Sequence, residues 1–201
     1  MIDYSVRSLD EQHAAFMRHK FLAMPIAGAI AWAGIGIAGA VLPLGPAAWA
    51  VFIGTGMIFS LGIVVAKFTG EDLLGRESKG NFFDKLFLHT VAMALLVYGI
   101  AIPFFLVQPT SLPMTVGILS GLMWVPFSAL INHWVGIFHG VARTVLLVFA
   151  HFAFPEQRFV VIPGIIVTLY LVTIVALQRR YVAMSAAPVE VVGDEGSGHE
   201  T

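Results

Sequence analysis

Cysteine is absent from the 201 residues, which excludes a disulfide framework, a thiolate metal site and a cysteine nucleophile together. Charge is scarce: Asp, Glu, Lys and Arg make up 11% of the chain, against roughly 25% in soluble domains. A chain so poor in charge cannot clothe a water-facing surface of its size. The net charge of -1 gives no electrostatic basis for nucleic-acid binding, and none is expected. An early apolar run is missing too. The first residues carry Asp3, Arg7, Asp10, Glu11, Arg18 and Lys20, so no cleavable signal peptide is expected, and the first apolar run would serve as its own uncleaved targeting signal. All 12 acidic residues fall in tails or loops. That weighs against a proton pump built on a carboxylate relay and against an intramembrane enzyme.

What is present is hydrophobic sequence, 58% of the chain, with mean hydropathy +0.88. A membrane-spanning helix needs about 20 mostly apolar residues, and six runs qualify: 21–42, 47–66, 86–107, 112–131, 134–154 and 160–177. The expected fold is an all-α integral membrane protein, a six-transmembrane-helix bundle. Residues 1–20 are expected as a cytoplasmic helical segment, 21–180 as the membrane domain and 181–201 as a disordered cytoplasmic tail. Ser8-Leu9-Asp10-Glu11 has the form of a capping box. Its helix is expected to run through His13, Arg18 and Lys20 into the first span. Lys and Arg set the orientation: nine lie in the N-terminal segment, the 67–85 loop and the end of span six, against Arg158 on the other side. The positive-inside rule then puts both termini in the cytoplasm (N-in, C-in), a result that requires an even number of spans.

Strongly polar groups inside spans are costly and usually face a bundle interior, a cavity or each other. Span five holds the richest set. Asn132, His139 and Arg143 share a narrow stripe at helical periodicity, with His133, Gly136, Gly140 and His151 on the adjoining face. Arg143 and His139 are therefore expected to face inward, as the polar lining of a site with Asn132, His133 and His89 toward its cytoplasmic mouth. No intramembrane acid exists to pair with Arg143, so its partners must be neutral acceptors or a bound anion. A second placement stays open. If span five began near Val141, Arg143 would be an interfacial positive residue and His139 would have no special role. His89, His133 and His139 could hold a metal or a haem only by converging, and their spacing matches no ligand pattern; no metal and no cofactor is expected.

The 67–85 loop reads as solvated, its acids available to a partner or to Arg76 and Lys79. Gly117 and Gly121, and again Gly136 and Gly140, form GxxxG pairs. Such faces serve packing within one chain or a homo-oligomer in the lipid bilayer, and spacing does not say which. Trp49 and Trp134 lie where interfacial anchors belong, whereas Trp32 and Trp124 fall within spans. Pro25, Pro126 and Pro163 are expected to start or kink helices.

Five strings carry a likeness to a known family: Phe21-Leu22-Ala23-Met24-Pro25, Phe68-Thr69-Gly70-Glu71-Asp72, Gly121-Leu122-Met123-Trp124-Val125-Pro126-Phe127, His133-Trp134-Val135-Gly136-Ile137-Phe138-His139 and Phe154-Pro155-Glu156-Gln157-Arg158-Phe159. From about residue 10 to residue 180 the chain resembles small bacterial multi-pass inner-membrane proteins grouped as a domain of unknown function. The resemblance implies a bacterial inner membrane and supplies no substrate or catalytic residue. Three functions follow in order. The first is a small transporter or channel-like protein for an anion or small polar solute. The second is a non-catalytic membrane scaffold or regulatory subunit. The third is an intramembrane His-dependent enzyme or a haem- or metal-binding protein.

Overall fold

Every regular element among the described residues is helical. The structure, a computed structural model, describes residues 7–73 and 80–186. The capping box forms as the sequence indicates: the Glu11 N–H donates to Ser8 Oγ and the Ser8 N–H to the Glu11 carboxylate. The helix it starts, α1 (Leu9–Met17), does not continue into the first span. The chain turns between Arg18 and Leu22, with Phe21 in left-handed backbone geometry at φ 59°. Such a conformation strains a bulky residue. It is held because the Phe21 ring is buried among Phe16, Phe87 and Phe127.

The first long apolar helix, α2 (Ala23–Val41), takes Pro25 in its opening turn, where a missing N–H costs nothing. The next pair, α3 (Leu44–Gly56) and α4 (Ile58–Thr69), is one apolar run bent by 51° at Met57. Gly70 ends α4 in the left-handed conformation that glycine adopts without penalty. Then come α5 (Phe82–Leu96) and α6 (Tyr98–Val107), broken at Val97, followed by α7 (Leu112–Gly121) and α8 (Trp124–Leu130), with Pro126 in the first turn of α8. The last two are α9 (Val135–Ala153) and α10 (Arg158–Ala186). Five of these runs are long and apolar enough to cross a membrane, or six if the bent α3–α4 pair counts as one. α10 runs to Ala186, so residues 181–186 are helical where a disordered tail was expected. The remainder of that tail, and Arg76 and Lys79, lie outside the described residues.

α2 lies against α10, α3 and α4, and α9 against α7, α8 and α10. Between helices in lipid there is no hydrophobic driving force, so close contact depends on small residues. The glycines on these faces serve the chain itself. A Cβ on Gly28 would stand 2.4 Å from Tyr170 Cζ, one on Gly39 2.2 Å from the Phe159 carbonyl oxygen, and one on Gly136 2.2 Å from the Trp124 carbonyl oxygen. Both GxxxG pairs are used within the chain in this way, Gly117 against Ile166 and Leu147 and Gly140 against Val125. The outer face is covered by large apolar side chains such as Phe68, Leu96, Leu106, Val107 and Phe152. Trp49 and Trp134 belong to this outer surface; Trp32 and Trp124 belong to the core.

One end of the bundle is tied together by polar bonds to helix termini. The Asn81 side chain donates to the Gln12 carbonyl, and the Phe82 N–H to the Gln12 side-chain oxygen. His13 Nε2 lies 2.8 Å from the Leu130 carbonyl oxygen. Lys20 donates to the Thr69 carbonyl and Arg180 to the Met17 carbonyl. Arg180, one of the positive residues counted at the end of span six, is buried and caps α1. At the other end Arg158 ties the His151 carbonyl to the Thr110 hydroxyl.

Candidate functional site

α9 begins at Val135, far enough before Arg143 to place both His139 and Arg143 one turn apart inside the bundle. Both side chains are fully buried, so the interfacial placement of Arg143 does not hold. The stripe stops short of Asn132. That residue sits in the turn before α9 with φ 47°, outside the helical periodicity that linked it to His139, and its side chain is exposed. His89 is exposed on α5, and His133 is half-buried in the same turn as Asn132. The three histidines do not converge, and among the described residues no three His, Cys, Asp or Glu side chains gather as a metal would need.

His133 shapes the turn instead. Its Nδ1 accepts from the Val135 N–H at 3.3 Å, and its carbonyl accepts from the Ser128 hydroxyl. Burial first, and the positive charge of Arg180 second, hold its imidazole pKa below the ordinary value.

Around Arg143 four other helices supply side chains. One guanidinium nitrogen, Nη1, lies 3.3 Å from His139 Nε2 and donates to the Tyr170 hydroxyl at 3.3 Å; Nη2 donates to Ser120 Oγ at 3.4 Å. The Trp32 and Tyr170 rings each lie 5.5 Å from the guanidinium carbon, within cation–π range. The Trp124 ring stacks on His139 with centroids 4.6 Å apart. Gly121 leaves the space for the arginine stem: a Cβ there would meet Arg143 Cδ at 2.7 Å.

The bond pattern fixes the histidine tautomer. Arginine carries only donors, so His139 Nε2 must accept. The ring hydrogen is then on Nδ1, which donates to Thr173 Oγ1 at 2.8 Å, and Thr173 passes its own hydrogen to the Leu169 carbonyl. His139 is thus a neutral acceptor and leaves the guanidinium charge uncancelled. Among the described residues no carboxylate comes within ion-pair distance of Arg143. Two buried donors near each other also lack an acceptor, Arg143 Nε and Trp32 Nε1. The Ser120 and Tyr170 hydroxyls that the guanidinium holds are walls of a cavity of about 50 Å³, also bounded by Thr55, Tyr98 and Trp124. One buried water needs roughly 10–15 Å³ of such space.

The sequence matches the family described as "Family of unknown function (DUF7010)" over residues 12–180. The chain belongs to that family. No curated protein and no solved structure matches it. The DUF7010 match takes in every residue that builds the Arg143 site and stops at Arg180, the residue that caps α1.

Several of the site's residues are not singled out by sequence reasoning: Ser120, Tyr170 and Thr173. Tyr170 and Thr173 stand one turn apart on α10 and both are buried, a weak polar stripe in an apolar helix. Trp32 and Trp124 did carry a signal, as tryptophans away from either interface.

Proposed function

We propose that this protein is a small multi-pass membrane protein that binds, and by rearrangement of its helices carries, a small anion or polar solute at Arg143. The observation behind this reading is the fully buried guanidinium with no carboxylate partner, whose Nε and neighbouring Trp32 N–H have no acceptor. A buried cation is unfavourable by several kcal/mol until it is paired. An anion would pair it and accept from both orphan donors.

The membrane reading takes six crossings, with α3 and α4 as one bent span, both termini in the cytoplasm and a bacterial inner membrane as the setting. Its support is the nine-to-one Lys and Arg distribution. The polar bonds that gather α1, the end of α4, the start of α5, the end of α8 and Arg180 at one end of the bundle agree with it. Reporter fusions after Arg180 and within 67–85 should report cytoplasm, and a fusion within 108–113 the opposite side. A C-terminus outside the cytoplasm would overturn the six-span count.

The test of the site is thermal unfolding of the full chain in detergent with acetate, chloride and phosphate titrated separately. At least one should stabilise saturably, by roughly 5 °C at about a hundred times its Kd. Arg143→Gln should abolish the response while Arg143→Lys, which keeps the charge and loses the planar fork, should weaken it. A flat response to every anion in the parent chain would overturn the reading.

A non-catalytic scaffold or regulatory subunit is the second reading. It is favoured by the complete enclosure of Arg143 beneath Trp32, Trp124 and Tyr170. On that reading the arginine is a packing centre, and the ligand-independent bonds to His139, Tyr170 and Ser120 are its whole role.

A further inference from the structure

Two voids meet at Tyr98. One is the internal cavity that reaches Ser120 and Tyr170. The other is an open groove of about 570 Å³ between α3 and α6, walled by Trp49, Phe52, Tyr98, Ile102 and Phe105. The groove lies on the apolar outer face, where Trp49 and Ile102 are exposed. Its volume is within the roughly 300–1,000 Å³ usual for small-molecule sites.

Between them the Tyr98 hydroxyl donates to Thr55 Oγ1 at 2.5 Å, because Thr55 gives its own hydrogen to the Val51 carbonyl. Each partner stands beside a helix break. Thr55 is two residues before the bend at Met57, and Tyr98 follows the break at Val97. The α5–α6 run is also the least enclosed of the long helices, only 17% buried. Two broken helices meet there through this bond, the Phe52 carbonyl 3.5 Å from the Tyr98 hydroxyl and the Phe52 ring against those of Tyr98 and Phe105, a small contact at which the bundle can part sideways. Beyond it, the Tyr170 hydroxyl accepts from Arg143 and has no acceptor for its own hydrogen among the described residues. It can therefore donate to a ligand that arrives from the cavity.

We infer that the ligand of the Arg143 site is a single-chain carboxylate amphiphile that enters from the bilayer through a lateral gate formed by Thr55 and Tyr98. This rests on the anion-binding reading above. Charge complementarity selects the head group: the cavity wall presents the Tyr170 and Ser120 hydroxyls, which the Arg143 guanidinium holds from behind, and no carboxylate. Size restricts it to something as small as a carboxylate, since the inner cavity holds about 50 Å³. The groove, apolar and ringed by aromatics, takes the chain.

The experiment is equilibrium binding of tritiated palmitate to the full chain in detergent, with acetate as competitor. Variants are Arg143→Gln at the inner site and Ile102→Trp in the groove, the latter on an exposed position where folding is not at risk. Palmitate should bind saturably and more tightly than acetate, and either substitution should weaken it at least about tenfold. Ile102→Trp should lower the ratio of palmitate to acetate affinity. Acetate binding that equals palmitate binding, with Ile102→Trp silent, would overturn the lateral route and leave the anion site standing. Palmitate binding unchanged in Arg143→Gln would place the amphiphile elsewhere and overturn the inference. Absence of binding by both ligands would sink this inference and the anion reading together.

Discussion

Glu71 and Ala23 are 48 positions apart in sequence, yet the Glu71 carboxylate accepts from the Ala23 N–H at 2.9 Å and from the Leu22 N–H at 3.1 Å. Leu22, the cap residue of α2, has no side-chain oxygen to satisfy these donors. The carboxylate after α4 does so, and its charge also suits the positive end of the α2 dipole. Two residues earlier the relation is reversed, with the Lys20 ammonium on the Thr69 carbonyl at the end of α4. An acid expected to be solvated or to bind a partner is therefore a helix cap.

Glu71→Ala should destabilise the chain by about 1–3 kcal/mol, since it strands buried backbone donors. Glu71→Gln, which keeps an acceptor oxygen, should cost less. Thermal or denaturant unfolding of the detergent-solubilised chain measures both, and equal stability of Glu71→Ala and the parent would show that water replaces the carboxylate.

Gly136 and Gly164 are both helical, and their alanine variants should differ in sign. An added methyl at Gly136 runs into the Trp124 carbonyl and Ser128, so Gly136→Ala should force α8 and α9 apart, at a cost of about 1–3 kcal/mol or more. Gly164 has nothing within 4 Å of a Cβ. Gly164→Ala should be neutral or stabilising by up to about 1 kcal/mol through helix propensity. Comparing the two melting temperatures separates packing from propensity at one stroke.

His133 should make stability depend on pH. Burial and Arg180 set its folded-state pKa below the ordinary imidazole value. Protonation therefore favours the unfolded chain. The contribution is fully present above about 6.5 and is lost as pH falls below that value toward the folded-state pKa. Protonation also removes the acceptor that holds the Val135 N–H. The melting temperature of the parent should fall between about pH 7.5 and pH 5 more steeply than that of His133→Gln. Parallel curves would show that this histidine titrates alike in both states.

Apolar run length alone indicated a helical membrane bundle of six spans, and every regular element among the described residues is helical, with five or six runs long enough to cross, because a run of about 20 apolar residues has few other stable outcomes. The Ser8 and Glu11 capping box and the proline-started helices were equally local, since each needs only neighbours in sequence. The inward turn of His139 and Arg143 was legible too: the cost of a polar group in hydrocarbon chooses the face, and helical periodicity names the residues that share it. Asn132 was misplaced on that stripe because periodicity cannot show where a helix begins, and a left-handed turn residue ended it three positions before Val135. Only the tertiary structure decided what stands opposite. Trp32, Ser120, Trp124, Tyr170 and Thr173 come from four helices far apart in the chain, and ring stacking and hydrogen-bond direction are properties of their juxtaposition. The same holds for Glu71 on α2 and Arg180 on α1. An orphan helix terminus can be satisfied by any side chain that folding carries to it, so composition and spacing hold no record of which one arrives.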